Sequence, residues 1–160
     1  MNVLYLLLII PLLTSFGIAA VRDIKQVRVV SAIGMGLQLL VSFWLLYLFY
    51  EQRHAGNTDY MLFVSSTMWY EAFNIQAKFG VDGVSVAMIL LTSIVTFAGV
   101  FASWQVEYLT KEFFISLIIL AGGVFGFFVS LDLFTMFLFY EVAVIPMYLL
   151  IGIWGSGPKE

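Results

Sequence analysis

One acidic residue interrupts a long apolar run near the C-terminal end of the 160-residue chain. Glu141 lies in Phe137-Leu138-Phe139-Tyr140-Glu141-Val142-Ala143-Val144-Ile145-Pro146. It stands eight positions inside a stretch long enough to cross a bilayer. At 1.5 Å of rise per residue, that places it about 12 Å into a hydrocarbon core roughly 30 Å thick. A carboxylate at such depth costs at least about 2.5 kcal/mol, so residues of this kind are rare and usually face a bundle interior or a water-filled path. Burial favours the protonated form and a nearby cation favours the charged one, so a partner can switch the group between the two. That is the chemistry of a proton relay; the plainer alternative is a carboxyl that only fixes helix packing. Pro146 has no N–H for the carbonyl of Val142 and its ring crowds that oxygen, which predicts a helix break beside the site. A local hydrated pocket would satisfy the freed carbonyl. Tyr148, seven residues from Glu141, faces the same way and extends a possible polar path, although an interfacial or core role explains a tyrosine equally.

The remaining acids have simpler uses. Asp82, in Gly80-Val81-Asp82-Gly83-Val84-Ser85, and Asp132 each precede an apolar run, where a carboxylate can cap helix N–H groups and complement the dipole. Asp132 lies nine residues, hence half a turn, from the Glu141 face. Glu107, Lys111 and Glu112 read as a short solvated loop. The chain has no cysteine, and its one histidine, His54, sits in the most polar stretch. Iron–sulfur and haem ligation are therefore hard to build, and no metal or cofactor site is expected. A net charge of −3 provides no basic footprint for nucleic acid.

The elements that must hold these residues are membrane helices. Hydrophobic residues make up 62% of the chain and charged residues 11%, against about 25% charged in soluble domains. Mean hydropathy is +1.04. Apolar runs of bilayer length predict an all-α, polytopic transmembrane bundle of about five helices, at residues 2–21, 29–50, 84–104, 113–130 and 133–154. The first run has no preceding Lys or Arg and is followed by Arg22, Lys25 and Arg28. This is the reverse of a secretory signal. Those three residues with Lys111 and Lys159 fall on one side, and only Arg53 and Lys78 on the other. The imbalance places the N-terminus outside and the C-terminus in the cytoplasm.

Between about Glu51 and Gly80, Phe73, Ile75, Ala77 and Phe79 alternate with Asn74, Gln76 and Lys78. This period of two predicts a strand, with Tyr60 to Val64 as its partner, in a small external β-hairpin over the helix ends. Gly122 with Gly126, and Gly34 with Gly36, permit close backbone approach. Trp104 and Trp154 suit the headgroup zone.

The stretch from Asp132 through Glu141 to Pro146, Tyr148, Gly152, Trp154 and Gly155 resembles the fifth transmembrane helix of the antiporter-like subunit M family of respiratory complex I (NADH-quinone oxidoreductase). Phe79-Gly80-Val81-Asp82-Gly83-Val84-Ser85, running on to Ala102-Ser103-Trp104, is similar to that family's third helix. The resemblance covers residues 1–160 as an N-terminal fragment of a longer proton-translocating domain. It implies a proton-transfer role for Glu141, paired with a lysine on a later helix. It further implies a subunit of a proton-pumping enzyme that couples NADH oxidation by quinone to proton translocation. NADH, FMN, iron–sulfur clusters and quinone would then be held by partner subunits and no redox centre by this chain. The expected partners are other membrane-arm subunits of complex I and the lipid bilayer, in a bacterial-type inner (cytoplasmic) membrane. Subunits of multi-subunit Na+/H+ antiporters and membrane-bound hydrogenases resemble the same helices, and a non-catalytic scaffold is the alternative of another class.

Overall fold

The structure, a computed structural model, describes residues 3–70 and 75–155. Five helices run α1 (Val3–Ala20), α2 (Ile24–His54), α3 (Gly83–Ala102), α4 (Thr110–Val129) and α5 (Leu133–Trp154), with strands β1 (Leu62–Tyr70) and β2 (Ile75–Val81) between α2 and α3. All five are long and apolar enough to cross a membrane, which makes the chain a multi-pass membrane protein. Consecutive helices run antiparallel, joined by links as short as residues 21–23 and 130–132. The bundle therefore has a sheet end and an opposite, basic end.

Apolar residues such as Leu7, Met35, Ile89 and Phe125 fill the interior, polar ones are buried among them, and further large apolar residues face outward. On α2, Ile33, Leu40 and Tyr47 are exposed, whereas Ser31, Gln38 and Ser42 are buried. With lipid as solvent, apolar side chains lose nothing by facing outward, and polar ones find partners only among neighbouring helices. Pro11, inside α1, has no N–H for the carbonyl of Leu7. The Gln38 side chain supplies the missing donor from α2, its Nε2 donating to Leu7 O at 3.2 Å.

The α2 helix is longer than the apolar run that predicted it. Its 31 residues span about 46 Å, more than the core of a bilayer. Lys25 and Arg28 therefore occupy its first turns, and Arg53 its last, where loops were expected. Apolarity measures what lies in lipid, whereas the helix starts where Asp23 caps it by accepting from the Lys25 N–H at 3.3 Å. Lys111 likewise leaves the expected loop for the first turn of α4. Its Nζ donates to Ala19 O at 2.6 Å and Val21 O at 2.9 Å, satisfying carbonyls orphaned at the end of α1. Glu112 also stands in that first turn.

The basic end is held by side chains reaching across it. Arg28 donates to Val106 O at 3.3 Å, and the Trp154 indole donates to Tyr108 O at 2.8 Å. Trp104 stacks on Phe101 with ring centroids 5.6 Å apart. Arg22, Lys25, Arg28 and Lys111 thus share this end, while Arg53 and Lys78 lie at the other.

The two strands pair antiparallel, with Ser65 opposite Phe79, Ser66 opposite Lys78 and Thr67 opposite Ala77. The hairpin forms as expected, but β1 extends well past Val64 through Ser65-Ser66-Thr67. These hydroxyl residues suit a half-solvated ladder and leave no trace in an apolarity scan. An irregularity lies between Leu62 and Ser65, where Phe63 takes a positive φ of 56°. The expected strand residues Phe73 and Asn74 lie outside the described residues. Phe79 is buried between α1 and α5, edge-on to Tyr5 at 5.9 Å and to Phe139 at 6.4 Å. Lys78 O accepts from the Leu131 N–H at 2.8 Å, and Phe79 bridges to Ser130. The hairpin so holds the link from which α5 starts.

Candidate functional site

The start of α5 is set by Asp132, whose carboxylate accepts from the N–H groups of Phe134 at 3.0 Å and Thr135 at 3.2 Å. This is the N-cap arrangement that occupies otherwise orphaned donors. Asp82 does the same for α3, accepting from the Ser85 N–H at 2.7 Å. That hydrogen bond holds the Asp82 carboxyl below the usual carboxylate range, against the opposing effect of its partial burial.

From its cap, α5 docks on α4 through small residues. A Cβ added at Gly123 would lie 2.7 Å from the Ala143 backbone nitrogen, and one at Gly126 would run into the Phe139 ring. Gly126 therefore serves close approach between α4 and α5, whereas Gly122 faces Pro11 of α1, with its added Cβ 3.1 Å from that ring. Gly123, one residue off the Gly122–Gly126 pair, makes the tightest backbone approach to α5. Gly34 abuts Thr14, and Gly36 only meets Phe97 at ordinary distance.

Phe139, Ala143 and Pro146 recur at three and four residues and form the stripe of α5 that faces α4. Pro146 is buried. Contrary to the expected break, α5 runs helical through Pro146 to Trp154. The proline removes one hydrogen bond without ending the helix, as membrane helices tolerate when neighbours hold them in place.

At 100° per residue, Glu141 and Tyr148 project about 180° away from that stripe. Both are exposed, Tyr148 at 75%. The five-helix bundle therefore does not enclose Glu141; the carboxyl stands on its outer face, eight residues into α5. Among the described residues, none forms an ion pair or hydrogen bond with it. Among the described residues, none closes a pocket over the exposed Glu141. Two apolar clefts flank the α4–α5 contact instead. One, of about 210 Å³, includes Pro11, Gly122, Phe139 and Val142 in its lining, and the other, of about 350 Å³, Val124, Phe128, Tyr140 and Met147. Neither includes Glu141. Only Thr135 and Pro146 are buried on α5, so most of this helix presents an apolar surface broken by one acid.

No family model matches the chain. Its sequence is 30% identical over 154 residues to NAD(P)H-quinone oxidoreductase chain 4 2 of Trichodesmium erythraeum, covering 96% of this chain and 27% of that protein. It is 36% identical over 140 residues to NADH-quinone oxidoreductase subunit M of Rhodobacter capsulatus, covering 88% of this chain and 25% of that one. The chain thus spans about a quarter of the length of these relatives. The fold recurs in respiratory complex I from Thermus thermophilus with bound NADH, at a TM-score of 0.75 and 22% identity over 99% of this chain and 30% of that one. It recurs also in an archaeal membrane-bound sulfane sulfur reductase, at 0.77 and 18% over 98% and 31%. Along nearly its whole length, the chain is homologous to part of the subunit M and chain 4 proteins of the NADH-quinone and NAD(P)H-quinone oxidoreductases.

Proposed function

We propose that the chain is the N-terminal part of a membrane-arm subunit of a proton-pumping NADH:quinone oxidoreductase, and that Glu141 takes part in proton translocation. The observation that carries this reading is the position of Glu141 at mid-depth on the outer face of α5, opposite α4. A carboxyl cannot rest against hydrocarbon without heavy cost. This face is therefore covered in the working assembly by protein or by a water-filled path, and the acid lies at that junction.

The mechanism follows from the acid and its surroundings. A cationic group brought near Glu141 favours the carboxylate and releases its proton; withdrawal of that cation returns the advantage to the neutral acid. In this reading the cation is the lysine of a later helix that the resemblance implies, carried by the full-length subunit. Tyr148, on the same face, extends the polar line along α5. Asp82 and Asp132 hold helix starts and stay outside the proton path. NADH, FMN, iron–sulfur clusters and quinone belong to partner subunits, and this chain carries no redox centre. The partners are other membrane-arm subunits and lipid, with no nucleic acid. The excess of basic residues at the end that carries Arg22, Lys25, Arg28 and Lys111 supports a cytoplasmic position for that end in a bacterial-type inner membrane, with the N-terminus and the hairpin outside.

The test is Glu141→Gln in the full-length subunit within its complex. Assembly and NADH oxidation by an artificial acceptor should persist while proton translocation into sealed vesicles falls several-fold. Undiminished pumping by the assembled variant would refute the assignment. Purification of the full-length subunit without NADH-oxidising partners would favour an antiporter or hydrogenase setting for the same helices.

A further inference from the structure

A second polar locus lies at mid-depth, on the far side of the bundle from the Glu141 face. Ser31, Gln38 and Ser42 share one buried stripe of α2, with Ser93 of α3 opposite. Gln38 is 0% exposed. Its Nε2 is committed to Leu7 O, the carbonyl that Pro11 leaves without a helical donor. Turning the amide over would set two oxygens against each other, so the open turn of α1 fixes the orientation of the side chain. Its Oε1, buried with it, has no hydrogen-bond partner among the described residues.

One turn further on, the Ser42 hydroxyl reaches Gln38 O at 2.9 Å and contacts the Ser93 hydroxyl, which in turn reaches Ile89 O at 2.9 Å. Three contacts share two hydroxyl protons, so the locus is short of donors a second time. We propose that Gln38, with Ser42 and Ser93 beside it, forms a binding site for an internal water between α1, α2 and α3. Water suits the site because it brings two donors and no net charge. A metal cation would also answer the oxygens, but no acid lies on this stripe to balance it, and an uncompensated charge at this depth is far costlier than a neutral molecule. Buried waters characteristically occupy such places, bonded to polar groups that the fold leaves unpaired. The water links the open turn of α1, through the Gln38 amide, to α2 and α3, and is distinct from any water beside Glu141.

The experiment is a density map of the assembled complex containing the full-length chain, at a resolution where ordered water is visible, for wild type and Gln38→Met. Wild type should show one water within about 3.2 Å of Gln38 Oε1, and the variant, similar in length but without the amide, should lack it. A protein donor on Oε1, no density there, density refined as a metal ion, or the same water retained in Gln38→Met would each overturn the proposal. If the variant does not assemble, the wild-type map decides by itself.

Discussion

Glu141 and Asp82 show how one residue type takes opposite meanings from its surroundings. Asp82 meets helix N–H groups at the mouth of α3, where its charge is welcome; Glu141 stands where hydrocarbon would be and requires a partner from outside the bundle. The two should therefore fail differently. Glu141→Gln should spare assembly and reduce translocation. Asp82→Ala should cost about 1 kcal/mol at the start of α3, seen as faster amide exchange at Ser85 and its neighbours with translocation retained. The pH dependence of the Asp82 cap has a definite sign. Its carboxyl is held below its ordinary value of 3.8 in the folded chain, so the cap contributes fully above that value and is lost as pH falls through the lowered one. Exchange at Ser85, corrected for the intrinsic pH dependence of exchange, should show protection lost only in that acid range. Loss near neutrality would contradict it.

At the scale of elements, close backbone approach and end-capping across helices add to apolar burial in assembling the bundle. Gly123 carries the tightest approach of α4 to α5, and this approach holds the Glu141 face outward. Gly123→Val should lever the two helices apart at a cost of about 1–3 kcal/mol, lowering the thermal stability of the assembled subunit. Gly99→Val is the control, since a Cβ there meets nothing within 4 Å, and should be near neutral. Equal loss from both variants would mean that Gly123 has no special part in docking α5. The Gly122–Gly126 spacing was visible in the sequence as a packing signal. Gly123 was not, because a spacing of four says which residues share a face but not which face meets which neighbour.

At the scale of the whole molecule, four described basic residues gather at one end of the bundle and two at the other, the hairpin marking the second. These 160 residues contain no cysteine, so single cysteines introduced among them report sidedness by comparison with the unsubstituted protein. Arg22→Cys should react with an impermeant thiol reagent only from the cytoplasmic side, and Asn57→Cys only from the opposite side. The reverse pattern would invert the proposed topology and the direction of any proton path built on it. Most of the surface of α5 is exposed and apolar, so covering that face with protein should be what completes the site.

Much of this was legible from residue order alone. Five apolar runs, an acid eight residues into the last, capping acids before two helices and an alternating strand are local patterns, and local patterns follow from helix rise, strand period and the cost of charge in lipid. The extent of α2 was not, because hydropathy reports the lipid-facing length while the N-cap at Asp23 and the absence of a breaker set the helix. The polar stripe of α2 left a helical spacing at Ser31, Gln38 and Ser42, but only the fold revealed that it faces inward, with Gln38 answering the carbonyl freed by Pro11. Likewise, counting residues along the last apolar run is enough to put Glu141 at mid-depth in a helix. Its facing, away from α4 on the outside of the five-helix bundle, emerges only from how the helices pack. Depth follows from counting residues along one helix, whereas facing depends on which stripe of that helix finds a close-fitting neighbour.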